Sequence, residues 1–149
     1  MGRWRRWIRW LRKAMGYIHY RDLQVWQKAM IVVEEIYKLT GRFSVDERFG
    51  LVSQMRRSAV SIPSNIAEGK SRGSKKEFAN FISIARGSLS ELETQLLICS
   101  RLRYVNEKEN QSTFFLIEEL QRMLASLLVK LRFPSSKPPP TPSPTLPPT

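Results

Sequence analysis

Apolar positions recur at steps of three and four through most of residues 20–133, the spacing of one face of an α-helix, and capping or turn residues divide that pattern into four segments. The first predicted helix takes Asp22 as its N-cap, packs Leu23, Trp26, Met30, Val33 and Tyr37, and stops at Gly41. The second begins at Ser44-Val45-Asp46-Glu47, which has capping-box spacing, and turns Phe49, Val52, Met55, Ala59, Ile62 and Ile66 inward on its way to Glu68. Ser74-Lys75-Lys76-Glu77 repeats the capping spacing and opens a third helix that reaches Arg103, with Phe78, Phe81, Ile82, Ala85, Leu89, Leu92, Leu96 and Cys99 on its apolar face. Asn106 caps a fourth, whose inner positions are Phe114, Ile117, Leu120, Leu124, Leu128 and Leu131. Short connections between long helices favour antiparallel neighbours, so the pattern predicts an all-α, up-down antiparallel four-helix bundle.

The second segment breaks its own pattern. Pro63 falls inside it, where a missing N–H and a crowded carbonyl cost about 3 kcal/mol and kink a helix rather than end it. Gly69 is then expected to close the helix in the left-handed conformation. Ser61, Asn65 and Glu68 stand at i, i+4 and i+7 and form a polar stripe, and Arg86, Ser90 and Glu93 repeat that spacing on the next helix. Three readings fit the two stripes. The favoured one is a hydrogen-bond network that holds helices or subunits in register. The others are a pocket for a phosphate or a partner backbone, with Arg86 as the fork, and a solvated face.

Three runs of residues carry a resemblance: Tyr20 to Met30 (YRDLQVWQKAM), Arg48 to Gly69 (RFGLVSQMRRSAVSIPSNIAEG) and Ala85 to Thr94 (ARGSLSELET). In that order they resemble the bacterial four-helix bundle family of 23S rRNA intervening-sequence proteins and the accessory variability proteins of diversity-generating retroelements. The resemblance spans Tyr20 to Arg132 and leaves open which branch applies. It implies a homo-oligomer, a pentameric ring of antiparallel bundles. For the retroelement branch it also implies a basic surface that binds a reverse transcriptase and its template RNA.

Charge adds a partner class. The chain has 149 residues, enough for one core, with 25 Lys and Arg against 13 Asp and Glu and a net charge of +12. That balance suits a polyanion partner or an anionic surface. Residues 1–19 contribute six basic side chains (Arg3, Arg5, Arg6, Arg9, Arg12 and Lys13) and no acid. Within residues 20–133, Lys70, Arg72, Lys75 and Lys76 crowd the corner between the second and third helices, and Arg56 with Arg57 and Arg101 with Arg103 add two pairs. These eight are the candidate nucleic-acid contacts. The Gly- and Ser-bearing connector from Gly69 to Ser74 offers backbone N–H groups for a phosphate, and a solvated loop is the alternative. Ring symmetry would repeat each patch and raise avidity.

The ends differ from the middle. Residues 134–149 are proline-rich and expected to be extended, without a core of their own. At the front, Trp4, Trp7, Ile8, Leu11 and Met15 line one side of a candidate helix while arginines fill the rest. It reads as an arm for RNA, as a segment lying on an anionic membrane, or as no native element at all. By the resemblance, related chains begin shortly before the Tyr-Arg-Asp-Leu motif, where Met15 falls.

Catalysis finds little support. His19 is the only histidine and lies outside the motif runs, no Glu-x-x-His occurs for a di-iron site, and Gly69 to Ser74 lacks a Walker ending. No cofactor and no metal site are therefore expected. Cys99, the only cysteine, stands on an apolar face, which predicts a packed thiol in a reducing compartment. With no signal sequence or membrane span visible, the cytoplasm is expected. The leading reading is a non-catalytic, oligomeric RNA-binding accessory protein. A scaffold for a protein partner such as a reverse transcriptase is the rival, and a membrane-surface role through residues 1–19 ranks last.

Overall fold

The computed structural model describes residues 2–16 and 18–134. Five α-helices form there, α1 (Gly2–Ala14), α2 (Gln24–Thr40), α3 (Leu51–Ser71), α4 (Lys75–Arg101) and α5 (Glu107–Arg132), with 3-10 turns at Tyr20–Asp22 and Val45–Glu47. No strand occurs among the described residues. The expectation of four helices is thus corrected to five, because the basic tryptophan-bearing segment is helical as α1. Past Pro134, the proline-rich segment lies outside the described residues.

Helices α2 to α5 pack in a closed circuit, α2 on α3, α3 on α4, α4 on α5 and α5 back on α2. Contacts between ends give the directions. Arg56 near the start of α3 reaches Thr40 at the end of α2, and Met55 of α3 meets Cys99 near the end of α4. Asn110 of α5 bonds Ser100 of α4, while Arg42, just past the end of α2, pairs with Glu109 at the start of α5 at 3.3 Å. Each neighbouring pair therefore runs antiparallel. The inner positions derived for α3, α4 and α5 meet at the centre: Met55, Ile62, Ile66, Ile82, Leu92 and Leu120 are all 0% exposed. Removing each such side chain from water contributes roughly 1.5–3 kcal/mol, which makes this core the main source of stability. The face expected for α2 is corrected, since Val25, Ala29, Val32, Ile36 and Leu39 are its buried apolar residues, whereas Leu23, Trp26, Met30 and Val33 are half-buried and Tyr37 is exposed.

Side-chain caps explain the starts of α4 and α5, and three expected boundaries are corrected. Ser74 Oγ accepts the Glu77 N–H at 3.1 Å and Asn106 Oδ1 accepts the Lys108 N–H at 2.9 Å, so α4 and α5 start as their cap chemistry predicts. Asp22, by contrast, lies in a 3-10 turn, and α2 starts after Leu23, which makes no side-chain cap bond. Ser44 makes no cap bond either. The non-helical backbone of Gly50 (φ −96°, ψ −113°) delays α3 to Leu51, and the Glu47 carboxylate accepts the Leu51 N–H at 3.4 Å. That break leaves Phe49 90% exposed rather than in the core.

Gly69 is the third correction. It lies within α3, which continues to Ser71, and the left-handed residue is Gly73 (φ +81°). What Gly69 supplies is clearance, since it is buried against Phe78 and Phe81 of α4. Pro63 is buried inside α3. Just beyond it, Ser64 Oγ donates to the Val60 carbonyl and Asn65 Nδ2 to the Ser61 carbonyl, both at 2.8 Å, side-chain bonds of the kind that bend helices.

Candidate nucleic-acid interface

One face of α3 builds a cleft against α2. Val52, Ser53, Arg56 and Val60 follow at helical spacing, so they stack along one side of the helix, and Phe49 joins them from the turn before it. Arg57 and Ser61 form the adjoining row, Arg48 joins from the preceding turn, and Tyr37 of α2 closes the far wall. The cleft has a volume of about 700 Å³.

Its arginines are held differently. Arg56 donates its Nε–H to Thr40 Oγ1 at 2.9 Å, and the buried Thr40 hydroxyl in turn donates a hydrogen bond to the Ile36 carbonyl at 2.7 Å. The Arg56 guanidinium carbon sits 4.4 Å from the Tyr37 ring centroid. One edge of the guanidinium is thereby fixed by a hydroxyl and one plane by a ring. Arg48 and Arg57 are exposed. Among the described residues, none of these three arginines has a carboxylate partner within ion-pair distance. Glu47, beside Arg48 in sequence, is engaged elsewhere, accepting from the Tyr104 hydroxyl at 2.8 Å. That bond raises the Tyr104 pKa above its usual value. Three arginines without an ion-pair partner thus share one opening with an exposed ring, Phe49.

The eight candidate contacts separate into two groups. Arg56 and Arg57 line the cleft, and Arg101 and Arg103 are exposed at the same end of the helices without lining it. Arg103 adopts φ +59° and completes a Schellman turn, with its N–H on the Ser100 carbonyl and the Tyr104 N–H on the Cys99 carbonyl. Lys70, Arg72, Lys75 and Lys76 lie at the opposite end, about 20 Å away along α3 at 1.5 Å per residue. Two of these are committed locally. Arg72 pairs with Glu68 at 2.7 Å, which raises its pKa, and lies over the Phe81 ring, while Lys70 lies over Phe78. Lys75 and Lys76 are exposed.

The two polar stripes do not meet. Ser61 Oγ lies 2.9 Å from Ser88 Oγ of α4 and accepts from Asn65 Nδ2 at 2.9 Å, whereas Glu68 turns to Arg72. The second stripe faces α5 instead: Ser90 Oγ accepts from Gln121 Nε2 at 3.1 Å, one and two turns from Arg86 and Ser83, and Ser83 Oγ accepts from Arg132. Arg86 Nε is buried without a protein acceptor, and Glu93 is half-buried. Beside the Ser61–Ser88 contact lies a polar pocket of about 370 Å³ shared by Arg57 and Glu91. No group of three or more His, Cys, Asp or Glu side chains placed for a metal occurs among the described residues.

Reading the sequence missed Arg48, Tyr37 and Ser88 as site residues. A signal for Arg48 existed, since Arg48, Val52 and Arg56 follow at steps of four. Tyr37 and Ser88 needed the packing of α2 and α4 on α3.

Fold and site together define an all-helical protein with an arginine-lined, aromatic-walled cleft at one end of its packed helices. The family model for the 23S rRNA-intervening sequence protein matches residues 21–126, and the chain belongs to that family. It is also similar to a protein of unknown function from the S23 ribosomal protein family of Bacteroides thetaiotaomicron VPI-5482, whose crystal structure was solved at 1.70 Å resolution. The two are 28% identical, the match covers 70% of this chain and 97% of that one, and the TM-score is 0.65. No curated protein matches the chain.

Proposed function

We propose that this protein is a non-catalytic accessory factor of the cytoplasm that binds a structured RNA, or an RNA–protein complex, through phosphate contacts. The observation that carries the reading is the cleft in which Arg48, Arg56 and Arg57 stand together without carboxylate partners. An arginine fork held by a hydroxyl and a ring, as at Arg56, suits a phosphate oxygen pair, and Phe49 beside it suits an unpaired base. In this reading α2 to α5 act as an up-down four-helix bundle that repeats around a homopentameric ring, so that each cleft is presented five times.

The test is a salt titration of binding to a structured RNA, read by fluorescence polarisation on the full chain. Affinity should fall steeply with salt. Arg48→Glu with Arg57→Glu should lower the log–log slope by roughly 1.4–1.8, because each phosphate that is no longer neutralised removes about 0.7–0.9. An unchanged slope in that variant would remove the cleft from the interface.

A second observation favours the protein-scaffold reading. Leu97, 49% exposed, and Phe115, 60% exposed, open an apolar cleft of about 500 Å³ between α4 and α5. A protein partner such as a reverse transcriptase, or a neighbouring subunit, would cover it. Phe115→Glu separates the two readings: loss of self-association in light scattering assigns this face to the ring, and loss of partner capture with the ring intact assigns it to the partner.

A further inference from the structure

Helix α1 lies outside the residues matched to the family and packs against no other element among the described residues. Its composition is nevertheless sharply sorted. Trp7 and Trp10 are each 62% exposed, Ile8 and Leu11 are 41% and 47% exposed, and the two indoles meet edge to face at 5.9 Å. At about 100° per residue, these four positions cover an arc of roughly 160°. Arg5, Arg6, Arg9 and Arg12 fall on the opposite arc, and residues 1–19 contain no acid.

We propose that α1 is an in-plane anchor for an anionic lipid bilayer, with Trp7, Ile8, Trp10 and Leu11 in the boundary between headgroups and acyl chains and the arginines on lipid phosphates. The sorting of the side chains selects this occupant. A nucleic acid draws arginine and aromatic side chains from one surface, because phosphates and bases follow one another along the strand. From Arg5 to Arg12 the two kinds occupy opposite sides, as a flat boundary between an apolar layer and a charged one requires, and Arg3, at the first turn, is the one basic position whose register falls within the apolar arc. A second copy of α1 could cover the apolar face, but it would bring like charges together at its edges with no acid to pair them. The helix is too short and too charged to cross a bilayer, and no described helix is long and apolar enough to do so. This anchor is independent of the arginine cleft, which lies in α3 and the turn before it.

The test uses the full chain with vesicles of phosphatidylcholine alone and with added phosphatidylglycerol. Sedimentation with the anionic vesicles only, together with quenching of tryptophan fluorescence by bromine on the acyl chains, is the expected result. Trp7→Ala with Trp10→Ala should weaken that sedimentation roughly tenfold or more. Its circular-dichroism melt should not change, because neither side chain packs on the core. The proposal is overturned if the full chain ignores anionic vesicles, if the double variant binds them as well as the parent, or if binding occurs without acyl-chain quenching. It is also overturned if the double variant keeps vesicle binding and loses structured RNA, which would make α1 a nucleic-acid arm, or if it only abolishes self-association.

Discussion

A Cβ built on Gly69 of α3 lies 2.4 Å from the Cβ of Phe81 in α4. Both atoms belong to helix backbones or stand next to them, so no side-chain rotation can relieve the contact. Gly69→Ala must push α3 and α4 apart, and should cost about 1–3 kcal/mol in urea unfolding, as overpacking does. Gly87 provides the opposite case within α4, since nothing lies within 4 Å of its added Cβ. There Gly87→Ala should stabilise by about 0.5–1 kcal/mol through helix propensity alone. Equal effects at the two sites would show that Gly69 is not a packing residue.

Arg103 holds a left-handed backbone, φ +59°, at the end of α4. A side chain there costs about 1–2 kcal/mol relative to glycine. Arg103→Gly should therefore raise the thermal midpoint by several degrees, on the scale of roughly 2–8 °C per kcal/mol for small domains. A lowered midpoint would mean that the Arg103 side chain contributes more than the strain it imposes.

Ser61 and Ser88 form a side-chain hydrogen bond directly between α3 and α4. A double-mutant cycle with alanine at both positions should give a coupling of about 0.5–1.5 kcal/mol. Ser64 is the control, because its hydroxyl returns to the Val60 carbonyl of its own helix and should show no coupling to Ser88. Coupling at Ser64 equal to that at Ser61 would contradict the geometry.

Cys99 is fully buried with its Sγ 3.5 Å from Met55 Sδ, and burial raises its pKa from 9.0 to about 11. The unfolded thiol ionises first as pH rises, so its contribution to stability is complete below about 9 and is lost as pH climbs toward about 11. Tyr104, whose pKa is raised by its bond to Glu47, acts in the same direction. Alkylation by iodoacetamide near neutral pH should follow global unfolding, measured by mass spectrometry across a urea series. Labelling of the native chain at the rate of a free thiol would show that Cys99 is accessible.

Legibility varied with range along the chain. The inner faces of α4 and α5 were readable because helical period and burial are one pattern: Ile82, Leu89 and Leu92, or Ile117, Leu120 and Leu124, can face inward together only on a helix. On α2 two apolar rows have helical spacing, and packing buried Val25, Ala29, Val32 and Ile36 rather than the row through Trp26, Met30 and Tyr37. Ser74 and Asn106 were readable as caps because a cap is made within four residues. Ser44 and Asp22 have the same chemistry and failed as caps, since the turns at Tyr20–Asp22 and Val45–Glu47 shift the helix starts beyond their reach. Gly69 was misread for a related reason. Its sequence permits either a left-handed turn or a close helix contact, and only the position of Phe81 decides between them.

The sequence by itself determined the helical segments, the apolar stripes, the buried state of Cys99 and the basic excess, because each of these is a property of residues near one another along the chain. Tertiary structure alone decided which charges act together. Arg56 and Arg57 joined Arg48 rather than Lys70, and Ser61 met Ser88 rather than Arg86. Antiparallel packing sets which ends of two helices become neighbours and which faces they turn to each other. A pattern read along one helix carries no record of that choice.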